Sequence, residues 1–244
     1  VNLGLEGRVA LVGGASRGLG RAVAAELAAE GASVAVCARE SESLRATADE
    51  LGALALPGDL SVEGEPTRVV DACAQHFGRL DIVVANAGGP PPGGLESFGP
   101  DDWRRATALV LASAVELATA AVPHMRRAGW GRILCVTSIT AERPVAKLLL
   151  SNALRPAVAG FARSLAREVA KDGITVNTIL PGYTRTERMI ELDVGAETEA
   201  EIPLGRLGEP PEFAATAAFL VSERASYITG AAVPVDGGWL LGKS

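Results

Sequence analysis

A single-domain doubly wound α/β sheet of about seven mostly parallel strands is predicted by three observations on the sequence. Short apolar runs alternate along the chain with segments long and periodic enough to be helices. Runs such as Ile82-Val83-Val84 are apolar without alternation, the pattern of parallel strands covered on both faces. A glycine-rich turn follows the first run and leads into a helix, which is how strand-turn-helix units of this class begin.

The elements follow in order. Residues 8–13 read as the first strand, and 21–30 carry apolar residues at helical spacing. Further strands are expected at 33–38, 53–57, 80–85, 132–137, 175–180 and 231–235, with helices between them. The proline-glycine stretch 88–94 follows the fourth strand and so falls at the carboxyl edge of the sheet, where doubly wound folds bind ligands. The acidic segment 187–201 follows Pro181-Gly182 and reads either as a mobile flap over that edge or as a solvated helix face.

Composition narrows the function classes. With 48% hydrophobic and 21% charged residues, the 244-residue chain can bury a large core and lacks the signature of disorder. Its net charge of −6 argues against general affinity for phosphate backbones, so no nucleic-acid partner is expected. No apolar run is expected to reach the roughly 18 to 20 residues that cross a bilayer. The start Val1-Asn2-Leu3-Gly4-Leu5-Glu6 lacks a basic n-region, and a cytoplasmic location without membrane contact is expected. Cys37, Cys73 and Cys135 lie in apolar runs with no CxxC and read as reduced, buried thiols. With only His76 and His124, no metal centre is expected. The aromatic share is 4% and includes two tyrosines, Tyr183 and Tyr227.

The turn Gly13-Gly14-Ala15-Ser16-Arg17-Gly18-Leu19-Gly20 has the ingredients of a phosphate cradle. Missing side chains at Gly14, Gly18 and Gly20 let the backbone turn tightly, and Ser16 to Gly20 lead into a helix whose free amides suit a pyrophosphate. The spacing is GxxxGxG rather than the commoner GxGxxG. Arg17 lies in the turn and Arg39 just past the second strand, where an acidic residue usually meets a plain ribose hydroxyl. Two cations there favour the 2′-phosphate of NADP(H); Glu40 and Glu42 keep NAD(H) open. Asp59, followed by Leu60 after the third strand, is placed to meet an adenine or to cap a helix.

With these residues in hand, the chain resembles the short-chain dehydrogenase/reductase family, in particular its 3-oxoacyl-carrier-protein reductase branch, over essentially its whole length. The resemblance is carried by Gly14 to Gly20, Asp81 with Asn86-Ala87-Gly88, Ser138, Pro181-Gly182-Tyr183-Thr184-Arg185-Thr186, Ile202-Pro203-Leu204-Gly205-Arg206 and Val235-Asp236-Gly237-Gly238. It implies a Rossmann fold, with Asn86, Ala87 and Gly88 bordering the cofactor's adenosine side. Pro181, Gly182 and Thr186 are implied to meet the nicotinamide carboxamide. It also implies a small-molecule substrate and a homotetramer, or a homodimer, built on helices at 101–127 and 156–171.

Catalysis is where the chain departs from the family. There a serine is followed thirteen residues later by Tyr-x-x-x-Lys, and an asparagine lies on the preceding long helix. By ungapped counting Ser151 takes the tyrosine place and Arg155 the lysine place, while Val110 takes the asparagine place; only Ser138 is kept. Gly13 also stands where the family usually has threonine. An aliphatic hydroxyl is a far poorer acid than a phenol near pKa 10. Arg155 stays protonated and suits ribose hydroxyls rather than a proton relay. Pro156 biases Arg155 away from helical angles, so the helix is expected to start later or to kink, with Ser151 near its N-cap.

Tyr183 is the candidate substitute phenol, with packing of the flap as its alternative role; Tyr227 reads as structural. Lys147 and Glu142 border the substrate side or are solvated loop charges. The leading expectation is an NADP(H)-linked oxidoreductase acting on a carbonyl or alcohol through a degenerate centre. A catalytically silent dinucleotide-binding protein is the alternative. A lyase-like reuse of the fold ranks last: halohydrin dehalogenases resemble this chain in their arginine but carry a tyrosine and lack the glycine turn.

Overall fold

The structure, a computed structural model, describes residues 1–191 and 195–242. Part of the 187–201 segment, residues 192–194, lies outside the described residues. Seven strands form one sheet: β1 (Val9–Gly13), β2 (Ser33–Ala38), β3 (Leu54–Pro57), β4 (Ile82–Ala85), β5 (Gly131–Val136), β6 (Ile174–Pro181) and β7 (Ala232–Val235). Their order is β3-β2-β1-β4-β5-β6-β7 and every pairing is parallel. Each strand falls within two residues of its expected place, because fully covered parallel strands read directly as apolar runs.

Helices α1 (Gly18–Ala29), α2 (Glu42–Leu51), α3 (Glu65–Phe77), α4 (Pro100–Thr107), α5 (Ser113–Ala128), α6 (Leu149–Val169), α7 (Glu187–Glu191), α8 (Ala196–Glu199) and α9 (Pro210–Leu220) complete the fold. One core layer packs α3, α5 and α6 on one face of the sheet, through Val70, Leu117, Met125, Leu150, Val158 and Val176. A second packs α1 and α9 on the other, through Val23, Leu27, Val36, Phe213 and Ala217. The chain thus makes the expected doubly wound arrangement.

Two expectations are corrected. The helical stretch Pro100–Ala128 is, by length and composition, apolar enough to cross a bilayer, contrary to the sequence reading. Its apolar side is spent on the core, where Leu117, Ala118, Ala121 and Met125 are buried. It also holds a π-helical segment, Ala108–Ala112, around Val110. The second correction concerns where α6 starts: it begins not after Pro156 but at Leu149, seven residues before it, and includes the proline. Proline there forgoes one hydrogen bond, to the carbonyl four residues back, at a cost of about 3 kcal/mol. Burial of Leu150, Leu154, Val158 and Leu165 along the same helix offsets that.

All three cysteines are free and buried, and burial pushes each thiol up to about 12. Native protein at pH 8 is therefore expected to leave all three unlabelled by a disulfide chromophore, with stoichiometric reaction only in guanidinium. Fast labelling without denaturant would contradict this burial.

Candidate active site

The site lies at the carboxyl ends of the strands, where β1 and β4 are neighbours in the sheet but not in sequence. Chain crossovers leave in opposite directions from that point and open a crevice. The glycine turn between β1 and α1 forms its floor. Gly14 and Gly18 have φ of 58° and 57°, left-handed values that favour glycine. A Cβ on Gly14 would lie 2.7 Å from Asn86 Nδ2, and one on Gly20 would collide with the Gly14 carbonyl. Asn86 locks the turn by donating Nδ2 to the Gly13 carbonyl at 3.1 Å. At Gly13 a Cβ would stand 2.5 Å from the Asn86 carbonyl oxygen, so threonine would not fit here without moving the end of β4.

This geometry fits a dinucleotide. Arg17, the extended residue that opens α1, makes no side-chain cap, so the first-turn amides are left for a phosphate. Thr186 closes the crevice from above, its Cγ2 3.6 Å from where a Gly18 Cβ would be. Arg17 and Arg39 are exposed at the nucleotide end. Glu40 is drawn to Arg45 at 2.8 Å, away from competition for a ribose. Asp59 accepts from the Ser61 amide at 3.0 Å and hydroxyl at 2.7 Å. Those bonds, and after them Arg39, hold its carboxyl below the usual range. It closes a turn of its own and does not cap α3, which starts at Glu65 after Gly64. Leu60 is buried in the core, Leu19 and Ala87 are half-buried against it, and the Ser16 carbonyl accepts from Thr47. Gly88 is exposed at the end of β4.

Pro181 ends β6, and Gly182 continues the ladder by donating to the Val235 carbonyl at 2.9 Å. A Cβ on Gly182 would meet Asp236, and one on Gly237 would meet Ile202. The three late motifs are therefore one packed surface, which carries Tyr183 and Thr186 across the crevice. Tyr183 stacks edge-on against Trp239, with ring centroids 5.9 Å apart. Burial first, then Glu201, push its phenol above the ordinary value, the wrong direction for a proton donor at neutral pH. Tyr183 thus packs the flap, and Tyr227 is fully exposed.

The catalytic places are occupied differently. Ser138 Oγ accepts from the Thr140 amide at 3.1 Å. Ser151 lies near the helix N-cap as expected, in the first turn of α6 three residues past Leu148. Its buried hydroxyl shares a 2.9 Å hydrogen bond with Thr140 Oγ1. Arg155 reaches the strand ends despite Pro156: Nη1 donates to the Val136 carbonyl at 2.7 Å and Nη2 to the Gly88 carbonyl at 2.6 Å. Burial, and then Arg188, pull its guanidinium down to about 10, so it stays charged at neutral pH. Val110 is buried in the π-helical turn and offers no polar group.

Sequence reasoning missed three side chains. Thr140 ties Ser138 to Ser151. Asn152 clamps Val145 by bonds to its amide and carbonyl, holding the loop before α6. Arg188 donates to the Pro90 carbonyl at 2.6 Å and joins the flap to the 88–94 loop. That loop is also tied by Gly93, which donates to the Lys147 carbonyl. Lys147 itself is exposed with φ of 59°, and Glu142 is exposed. Neither makes a side-chain hydrogen bond to the serines.

A glycine cradle at the switch point, a serine past β5 and a returning flap define a dinucleotide-binding α/β protein of the oxidoreductase type. The family described as enoyl-(acyl carrier protein) reductase matches residues 14–240. The 3-oxoacyl-[acyl-carrier-protein] reductase FabG of Pseudomonas aeruginosa is 38% identical over 247 residues, covering 98% of this chain and all of that protein. The TT0495 protein of Thermus thermophilus superposes with a TM-score of 0.90 at 38% identity, covering 96% of this chain and 99% of that one. L-Sorbose reductase from Gluconobacter frateurii, complexed with NADPH and L-sorbose, superposes with a TM-score of 0.89 at 33% identity, covering 98% and 99%. The chain belongs to the short-chain dehydrogenase/reductase family.

Proposed function

We propose that the protein is an NADP(H)-dependent oxidoreductase of the 3-oxoacyl-carrier-protein reductase-like type, acting on a small carbonyl or alcohol substrate through a centre without the family's phenol. The observation that carries this is the nucleotide end: Arg17 and Arg39 are exposed there while Glu40 is held by Arg45. A bound NADPH supplies the hydride. Arg39 and Arg17 would hold its 2′-phosphate, and the amides of α1 its pyrophosphate. The Ser138 hydroxyl, whose oxygen already accepts from the Thr140 amide, would donate a hydrogen bond to the substrate oxygen, and the proton that completes the reduction would come from solvent. Arg155 keeps a positive charge beside the strand ends where the alkoxide would form.

A second reading, a dinucleotide-binding protein without turnover, is favoured by the pairing of Ser151 with Thr140 and by the engagement of Tyr183 with Trp239. A homotetramer, or failing that a homodimer, is proposed on the outward face of α6. There Ala153, Pro156 and Ala157 are exposed and Phe161 is half-buried, while Val158, Leu165 and Val169 belong to the core.

Nicotinamide fluorescence titrations test the cofactor, with NADPH expected to bind more tightly than NADH. Arg39→Glu is expected to invert the preference, moving the affinity ratio by roughly 100-fold through loss of one charge-assisted pair and gain of a repulsion. An unmoved ratio would refute the assignment of Arg39. Oxidation of NADPH with any of a panel of ketones and 3-oxoacyl thioesters supports the first reading; tight binding with no oxidation selects the second.

A further inference from the structure

The first turn of α1 is short of negative charge. It holds no acidic residue, Arg17 caps no amide with its side chain, and the amides there carry the positive end of a helix of 12 residues. One carboxylate reaches this place from a distant part of the chain. Glu187 Oε2 stands 3.8 Å from where a Cβ on Gly18 would lie, next to Thr186 Cγ2 at 3.6 Å. The space that a side chain on Gly18 would take is the space through which a phosphate approaches the turn. The neighbours of Glu187 are committed elsewhere: Arg185 pairs with Glu209 at 2.9 Å, Thr186 donates to the Thr184 carbonyl, and Arg188 donates to the Pro90 carbonyl. Those contacts hold the backbone on both sides of Glu187. Among the described residues, Glu187 itself takes part in no hydrogen bond or ion pair. It is exposed, so its charge has been left beside a helix end that attracts anions without being packed there.

We propose that Glu187 is a built-in competitor at the phosphate cradle: in the ligand-free protein its carboxylate stands at the amino end of α1, and a dinucleotide must displace it. The inference deepens the oxidoreductase reading and rests on that reading's placing of the pyrophosphate at α1. Both anions seek one positive helix end, and at close range their like charges repel, so Glu187 lowers the affinity for the cofactor. The carboxylate has room to withdraw, because Gly18, Thr186 and Glu187 line one open cavity between α1, α9 and the segment after β6. Cofactor binding is thereby coupled to the position of residues 185–188, the same stretch that fastens the 88–94 loop through Pro90.

Fluorescence titration of the full chain with NADPH tests the proposal, and Glu187 is exposed, so its replacement leaves the core intact. Glu187→Gln is expected to tighten NADPH about five- to tenfold at low ionic strength. In about 1 M salt the gain should shrink to less than about twofold, because charges a few ångströms apart are then screened. Glu6→Gln removes the same charge from the opposite pole of the sheet, just before β1, and is expected to leave the affinity within about twofold of the parent. Unchanged or weaker binding in Glu187→Gln would overturn the competitor role. An equal gain in Glu6→Gln would reduce the effect to net charge, and a gain undiminished by salt would show that it is not electrostatic; either result also overturns it. Failure of the cofactor reading has a different signature: neither NADPH nor NADH binds the parent chain or Glu187→Gln, and the competition falls with the ligand. Binding that appears only once Glu187 is replaced would be the strongest form of the expected result.

Discussion

Gly20→Ala is expected to lower NADPH affinity by roughly 100-fold, the equivalent of an overpacking strain of about 3 kcal/mol. The added methyl would collide with the Gly14 carbonyl and stand 3.0 Å from Asn86 Nδ2. Neither neighbour can yield easily, because one is backbone and the other is fastened to the Gly13 carbonyl. Relief comes only by opening the turn, which draws the first amides of α1 away from the phosphate position. Fluorescence titration reads the loss, and circular dichroism separates it from unfolding, since the rest of the sheet does not depend on that contact. Wild-type affinity in this variant would mean that the pyrophosphate does not use this turn.

Asp81→Ala is expected to cost about 3 kcal/mol of stability, from the loss of charge-assisted bonds to a buried carboxylate. Asp81 is fully buried. It accepts from the Val9 amide at 2.8 Å and from Arg79 through two bonds of 2.8 and 2.6 Å, with Arg8 at 3.6 Å. Arg79 is 46% exposed and rehydrates when released, which keeps the loss below that of a fully enclosed pair. The Val9 amide has no such escape. Arg8 also covers Trp130, whose ring lies under Arg132 as well, so the change loosens a stack at the amino ends of β1 and β5. For a chain of this size the melting temperature should fall by about 6 to 12 °C. Calorimetry showing a shift within a degree would remove Asp81 from the stabilising contacts.

The sheet was legible because parallel strands buried on both faces are written as uninterrupted apolar runs, as at Ile82–Ala85. The nucleotide end was legible because close backbone approach admits only glycine, and Gly14 and Gly20 each meet another backbone or Asn86. The start of α6 was not. A local rule about the residue before proline was outweighed by burial along the helix, which no window around Pro156 contains. The catalytic end was legible as substitutions and opaque as contacts. Nothing in the sequence pairs Ser151 with Thr140, or aims Arg155 at the carbonyls of Val136 and Gly88, since carbonyls are common to every residue. Arg188 was hidden for a related reason: its place beside Arg155 arises only when the segment after β6 returns across the strand ends.

The lock between Asn86 and Gly13 spans 73 residues of chain. A nascent polypeptide that has released β1, α1 and β2 already possesses every glycine of the cradle, yet lacks the amide that shapes it. Competence to hold a nucleotide should therefore arrive abruptly during synthesis, once β4 has docked beside β1, and fragments ending before residue 86 should be unable to capture the ligand.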